Sequence, residues 1–185
     1  MRTMRTFIAV DLPVEVKTAI GRYIASLREI INNVKWVVPE NLHLTVKFLG
    51  EVKEPVIRDI TNCVDRTASG FSPFIMGLSH MGFFPSSERP RVIWLSSDGG
   101  EDQLLDLFQE LENCLEDLGI DRESRTFSPH LTIGRVKHDH HIVVPDIIPE
   151  FEHVTFQVNR LSLIKSTLTP EGPVYEKLFE GLMNQ

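Results

Sequence analysis

The chain has 185 residues, of which 42% are hydrophobic and 24% are charged, a composition that excludes a disordered protein and is typical of a folded one. Its formal net charge of −7 argues against non-specific binding along nucleic acid, although a local positive cluster could still hold one phosphate. No apolar run approaches the ~20 residues that span a bilayer, and no signal peptide is recognisable. A cytoplasmic protein without membrane association is therefore expected, with either Met1 or Met4 as its start.

Apolar periodicity predicts alternating strands and amphipathic helices in a single domain over residues 1–185. In chain order, the pattern predicts a strand at 6–12, a helix at 14–31, strands at 36–38 and 42–49, a helix at 55–69, strands at 74–84 and 91–95, a helix with an apolar stripe over 104–118, and strands at 125–136, 154–165 and 173–179. Long alternating strands and hairpin-like turns favour antiparallel sheets, and together with the helices they predict an α+β fold.

The sequence contains only two cysteines, Cys63 and Cys114, each within a predicted helix. Two isolated cysteines argue against a disulfide framework or a cysteine zinc site. We therefore expect two buried or half-buried thiols in a reducing compartment.

The most informative feature of the sequence is a short internal repeat. Residues 43–46 read His-Leu-Thr-Val and residues 130–133 read His-Leu-Thr-Ile, and each copy follows a turn that contains a proline. Because strand side chains alternate between faces, each copy would present its histidine and threonine to one side and its aliphatic residues to the core. A lone His-x-Thr usually marks only a half-exposed polar face. The duplication is what predicts two pseudo-symmetric lobes with one motif in each.

Two imidazoles and two hydroxyls that converge on one cleft suit the hydrolysis of a phosphodiester. The unperturbed pKa of histidine is about 6.5, so a pair can hold one neutral and one protonated ring at neutral pH. One ring can then take a proton from water while the other donates a proton to the leaving oxygen. The threonine hydroxyls can donate to the non-bridging phosphate oxygens, and no metal ion is needed for this division of labour.

In their wider context, the two motifs resemble those of the 2H phosphoesterase superfamily, and more closely those of the RNA 2′,3′-cyclic phosphodiesterases once named 2′-5′ RNA ligases. The resemblance implies a bilobal fold in which two antiparallel sheets face each other across a groove, with the helices outside. The chain departs from the family at 137–149, a short histidine-rich loop where a helix is expected. The resemblance extends over nearly the whole chain, and the stretches that carry it are spread along it: 7–13, 39–50, 89–94, 127–136 and 166–175.

For the activity, the resemblance implies hydrolysis of a terminal RNA 2′,3′-cyclic phosphate to a 2′-phosphomonoester, without a metal or nucleotide cofactor. It implies His43 as the proton donor to the leaving 3′ oxygen and His130 as the proton acceptor from water, while Thr45 and Thr132 bind the phosphate. The expected partner is an RNA 3′ end that carries the cyclic phosphate. A monomer without an obligate protein partner is expected, because one chain forms the groove.

Arg135 and Arg91 are further candidates for binding the substrate phosphate, each weighed against a plain surface charge. Ideal alternation puts Arg135 on the face opposite His130, but a bulge near Gly134 would bring it to the rim of the groove. Arg91 begins a predicted strand that could border the same cleft.

Three other features admit both a functional and a structural interpretation. Lys47 shares the face of the first histidine by strict alternation, so it would either add positive potential or lie at a solvated edge. Phe83 or Phe84 could stack on a terminal base, although phenylalanines in strands usually belong to the core. The His-Asp-His-His cluster at 138–141 lacks the supporting ligands of a closed metal site and is predicted to be a solvated loop.

Rival functions remain open at this point. The same residues could serve 2′-5′ RNA ligation or a small cyclic nucleotide phosphodiesterase, and comparing oligonucleotide with mononucleotide substrates would separate these. A non-catalytic module that binds RNA ends or nucleotides would not require both histidines. A metal hydrolase built on 138–141 would lose its activity in a chelator.

Overall fold

Two antiparallel sheets and three helices make up the computed structural model, which describes residues 2–184. The elements in chain order are β1 (Thr3–Asp11), α1 (Val14–Ile30), β2 (Val34–Trp36), β3 (His43–Lys53), α2 (Ile57–Ser69), β4 (Phe74–Phe84), β5 (Val92–Asp98), α3 (Glu101–Glu116), β6 (His130–Val136), β7 (Val154–Val158), β8 (Arg160–Thr169) and β9 (Gly172–Leu182). The four-stranded sheet has the order β3-β1-β8-β9, and the five-stranded sheet has the order β2-β6-β5-β4-β7. The predicted α+β fold of two antiparallel sheets that face a groove, with helices outside, is confirmed.

The helices bury one apolar face each, as their sequence periodicity predicts. In α1 the buried positions recur every three or four residues, from Val16 and Ile20 to Ile24 and Leu27. These residues share one core with the inward-facing aliphatic residues of both sheets. Within residues 2–184, none of the helices combines the length and the apolar character needed to cross a bilayer.

The chain crosses between the two sheets near its C-terminal end, and the predicted strand at 154–165 is wrong in this respect. The segment forms two strands, β7 in the five-stranded sheet and β8 in the four-stranded sheet, with Asn159 between them. Apolar residues alternate on both sides of this residue, at even positions up to Val158 and at odd positions from Leu161, so a change of phase alone marks the break. The predicted strand at 125–136 likewise begins only at His130.

Cys63 and Cys114 form a disulfide, so the prediction of two free thiols is wrong. The two residues lie on the buried faces of α2 and α3, which pack against each other and bring the two Cα atoms to 5.9 Å. This separation is typical of a disulfide. The cysteines are 51 residues apart, and nothing in their spacing reveals that their helices are neighbours.

Candidate active site

The two repeated motifs occupy the starts of two strands that contact each other across the junction of the sheets. His43 is the first residue of β3, at the edge of the four-stranded sheet, and His130 is the first residue of β6 in the five-stranded sheet. Both imidazoles are half-buried, as are Thr45 and Thr132 two residues further along. The fold thus brings one His-x-Thr motif from each sheet to the groove.

Both imidazoles are held in the same way by the chain that precedes them. Nδ1 of His43 lies 2.7 Å from the carbonyl oxygen of Asn41, and Nδ1 of His130 lies 2.8 Å from the carbonyl oxygen of Ser128. Because a carbonyl only accepts hydrogen bonds, Nδ1 must carry the hydrogen in each ring. The Nε2 atom of each ring is therefore the one available for proton transfer.

A β-bulge interrupts β3 just after its threonine. Along β1, Ile8 pairs with Lys47 and the next residue, Ala9, pairs with Thr45, so β3 contains one extra residue, Val46. A bulge of this kind reverses the alternation beyond it. Lys47 consequently becomes buried with Val46, and its predicted position on the face of the first histidine is wrong.

β6 contains a β-bulge at the equivalent position, three residues after its histidine. Along β5, Ile93 pairs with Gly134 and Trp94 pairs with Thr132, so the intervening residue of β6 is unpaired. Because each bulge reverses the alternation of side chains beyond it, the residue five positions after each histidine lies on the same face of its strand as that histidine. In β6 that residue is the exposed Arg135, and in β3 it is Phe48, which is 61% exposed and packs 6.0 Å from the ring of Phe7.

Aromatic side chains pack around each histidine. The ring of His43 lies 4.7 Å from Phe7 and 5.2 Å from Tyr175. The ring of His130 lies 5.1 Å from Phe84, which is itself stacked on Trp94 at 4.8 Å. These contacts fix the orientation of both imidazoles and exclude water from one side of each.

The charges around His43 come from both sheets. Burial lowers the pKa of His43, and the hydrogen bond to the Asn41 carbonyl and the carboxylate of Asp11 offset this only in part. The positive charges of Lys17 and Arg135 lower the pKa of His43 further. Burial raises the pKa of Tyr175, and the charge of Arg135 again opposes the shift. The charge of Arg135 on β6 thus acts on two residues of the four-stranded sheet.

Asp11 is a candidate site residue that the sequence did not single out. It pairs with His43 in the β1–β3 ladder, and its carboxylate accepts a hydrogen bond from Ser162 and lies 2.5 Å from Nζ of Lys177. Burial raises the pKa of Asp11, but these two partners outweigh it and leave the pKa lowered, so Asp11 is ionised at neutral pH. The residue paired with His130 is the uncharged Ser96.

Replacing Asp11 by asparagine is expected to lower the pKa of His43. The substitution removes the nearby negative charge that favours the imidazolium, and it leaves the positive charge of Lys177 without that partner. An NMR titration of the histidine ring protons measures the change. The Ser96→Ala variant is the matched control and should leave the His43 titration unchanged; an unchanged or raised pKa in Asp11→Asn would contradict the expectation.

The remaining predicted residues lie at the margins of this site. Arg91 precedes β5, and its Nη1 donates to the carbonyl oxygen of His140 at 3.4 Å, so its role in binding phosphate stays a prediction. Phe84 contacts His130, whereas Phe83 packs against the core. In the 138–141 loop, Nδ1 of His138 lies 2.7 Å from a carboxylate oxygen of Asp139. Across the described residues 2–184, no group of three or more His, Cys, Asp or Glu side chains is arranged to hold a metal ion.

Known proteins are similar to this chain over nearly its full length. The sequence profile of the family described as LigT like Phosphoesterase matches twice, at residues 10–94 and 95–175. An RNA 2′,3′-cyclic phosphodiesterase of Methanocaldococcus jannaschii is 39% identical over 96% of this chain and 99% of that protein. One of Thermotoga maritima is 39% identical over 96% of this chain and 94% of that protein.

Solved structures give the same result at the level of the fold. A crystal structure from Thermus thermophilus superposes with a TM-score of 0.84 at 31% identity, covering 97% of both chains. A crystal structure of E. coli LigT complexed with 3′-AMP superposes with a TM-score of 0.82 at 26% identity, covering 100% of both chains. The chain belongs to the LigT-like family of 2H phosphoesterases.

Proposed function

We propose that this protein hydrolyses 2′,3′-cyclic phosphates at RNA 3′ ends to 2′-phosphomonoesters, with His43 as general acid and His130 as general base. The observation that carries the proposal is the matched pair of imidazoles, each with Nδ1 bound to a carbonyl and Nε2 free for proton transfer. The names of the curated relatives support the same substrate class. Both motifs come from one chain, so we propose a single-domain monomer that needs no protein partner.

The reaction is an in-line displacement at phosphorus. Nε2 of His130 takes a proton from water as the water oxygen forms its bond to phosphorus. The bond between phosphorus and the 3′ oxygen breaks, and Nε2 of His43 donates its proton to that oxygen. The product is a 2′-phosphate beside a free 3′-hydroxyl. His130 ends protonated and His43 neutral, and exchange with solvent restores the starting state.

The carboxylate beside one of the two rings supports the proposed direction of proton transfer. Asp11, which pairs with His43, favours the imidazolium that a proton donor requires, whereas the uncharged Ser96 pairs with His130. Burial lowers the pKa of His43 in the free protein, but an anionic phosphate bound in the groove would again favour its charged form. With substrate bound, His43 would therefore carry the proton that a general acid has to donate.

Three side chains are proposed to bind the phosphate oxygens. Thr45 and Thr132 follow the histidines on the same strand faces, and their hydroxyls can donate to the two non-bridging oxygens. Arg135, turned to this face by the bulge, can bind the same oxygens through two N–H groups. Arg91 remains a more peripheral candidate, because its guanidinium contacts the 137–149 loop.

The Arg135→Ala variant is expected to lower kcat/KM for a cyclic-phosphate substrate by about 10- to 100-fold, because a charge-assisted contact to the phosphate is lost. Arg135→Lys should recover only part of this loss, since an ammonium cannot form the bidentate contact. Steady-state kinetics measures both variants. Arg28→Ala, on the exposed part of α1, is the control. Equal kcat/KM for Arg135→Ala and the parent would exclude Arg135 from phosphate binding.

The proposed function is tested with an oligoribonucleotide that ends in a 2′,3′-cyclic phosphate, in excess chelator. Turnover to a 2′-phosphate supports the proposal, and formation of the 3′-phosphate contradicts the assigned leaving group. Loss of turnover in the chelator would favour the metal hydrolase built on 138–141. Binding of the oligonucleotide without turnover would indicate a non-catalytic module that binds RNA ends. Turnover of small cyclic nucleotides but not of the oligonucleotide would indicate a small cyclic nucleotide phosphodiesterase.

A further inference from the structure

A cavity of about 660 Å³ lies beside His43, on the side of the four-stranded sheet that leads toward α1. We call it the His43-side cavity. Its volume falls within the range of pockets that bind nucleotide-sized ligands. Its lining includes charged and polar side chains from β1, α1, the turn before β3, β8 and β9: Asp11, Lys17, Glu40, Arg160, Tyr175 and Lys177.

The proposed reaction fixes which part of the substrate points into this cavity. In an in-line displacement, the attacking water and the leaving 3′ oxygen lie on opposite sides of phosphorus. His43 protonates the 3′ oxygen, so the ribose and the RNA chain attached to it lie on the side of His43. The nucleotides that precede the cyclic phosphate therefore extend toward the His43-side cavity, and the water approaches from the side of His130.

Lys17 is the cation of this cavity whose charge is least neutralised. Nζ of Lys177 lies 2.5 Å from Asp11 and 2.6 Å from Glu180, and Arg160 lies 3.1 Å from Glu180. Nζ of Lys17, by contrast, donates to the backbone carbonyl of Glu40 at 3.2 Å, and no carboxylate within the described part of the chain forms an ion pair with it. Asp11 and Glu40 also line the cavity, but an ammonium that forms no ion pair remains suited to binding a phosphate.

We infer that the His43-side cavity binds the nucleotide on the 5′ side of the terminal one, with Lys17 against the phosphate that joins the two. This inference rests on the proposed function and deepens it. It assigns a specificity residue that acts on oligonucleotides and has no group to contact in a mononucleotide. The charge of the protein as a whole is −7, so this local cation, and not long-range attraction, would select the RNA chain.

The test compares two substrates, an oligoribonucleotide ending in a 2′,3′-cyclic phosphate and a nucleoside 2′,3′-cyclic monophosphate. The quantity measured is the ratio of their kcat/KM values. Lys17→Gln is expected to lower this ratio about tenfold, and Lys17→Arg should restore most of it. Lys53→Gln removes the same charge from the far end of β3 and should leave the ratio unchanged. Thermal unfolding confirms that each variant is folded.

The outcomes separate this inference from the proposed function. If the parent turns over both substrates and Lys17→Gln leaves the ratio unchanged, the inference is overturned and the proposed function stands. If Lys53→Gln lowers the ratio as much as Lys17→Gln, the effect is one of general charge and the inference is again overturned. If the parent turns over neither substrate, the proposed function fails and the inference fails with it.

Discussion

Alanine in place of either His43 or His130 is expected to lower kcat for a cyclic-phosphate oligonucleotide by at least about 100-fold, because each variant removes one of the two proton transfers. The two rings act as a unit, so the double variant should be little slower than the slower single variant. Single-turnover kinetics in excess chelator measures the chemical step separately from binding. Substrate affinity should change far less than kcat, since neither ring is needed to hold the phosphate.

The matched controls separate catalysis from folding. His43 packs between Phe7 and Tyr175, so His43→Asn is the better companion to the alanine variant because it leaves a smaller void. His80→Ala, an exposed histidine of β4, should retain the parent activity. The acid–base assignment would be wrong if a folded variant at position 43 or 130 kept more than about a tenth of the parent kcat.

The Glu112→Ala substitution is expected to lower the free energy of unfolding by about 3–5 kcal/mol, because it leaves a buried positive charge without its partner. Oε1 of Glu112 lies 2.5 Å from Nζ of Lys47, and each side chain is only 4% exposed. The same pair ties the loop after α3 to β3, since Lys47 donates to the carbonyl of Asp121 and Glu112 accepts the backbone N–H of Glu123. Denaturant-induced unfolding measures the loss.

Two control variants test whether burial causes the effect. Glu116 forms an ion pair with Arg122 in which the side chains are 57% and 46% exposed, so Glu116→Ala should cost less than about 1 kcal/mol. The double variant Lys47→Met and Glu112→Leu replaces both charges by apolar groups and should be more stable than Glu112→Ala alone. Equal losses for Glu112→Ala and Glu116→Ala would mean that the buried pair adds no more than a surface pair.

The sequence predicted which side chains share a strand face where alternation holds, and it failed where alternation is interrupted. The histidine and threonine of each motif lie before the bulge, so the period of two predicts their common face correctly. Lys47 lies beyond the bulge in β3, and the same rule gave it the wrong face. For Arg135 the sequence did allow for a bulge near Gly134, and the bulge is present. A glycine indicates where a strand can deform, but Val46 gave no comparable signal.

The features that the sequence could not predict depend on contacts between distant segments. The passage from β7 to β8 at Asn159 shifts the phase of the apolar pattern, but the shift does not show that the second strand joins the other sheet. The Cys63–Cys114 disulfide depends on the packing of α2 against α3. The role of Asp11 depends on its pairing with His43 across the β1–β3 ladder. Local periodicity contains none of this information, because each case is decided by which elements become neighbours.

The matching bulges have a consequence for the polarity with which the groove would accept an RNA strand. The backbone next to the two histidines follows the same plan, with the same carbonyl contact and the same bulge, although β3 is an edge strand and β6 lies between β2 and β5. The difference lies in side chains at equivalent positions: Asp11 opposite one histidine and Ser96 opposite the other, Phe48 after one motif and Arg135 after the other. Strand polarity in such a site would then depend on these side chains as well as on the different positions of the two strands in their sheets.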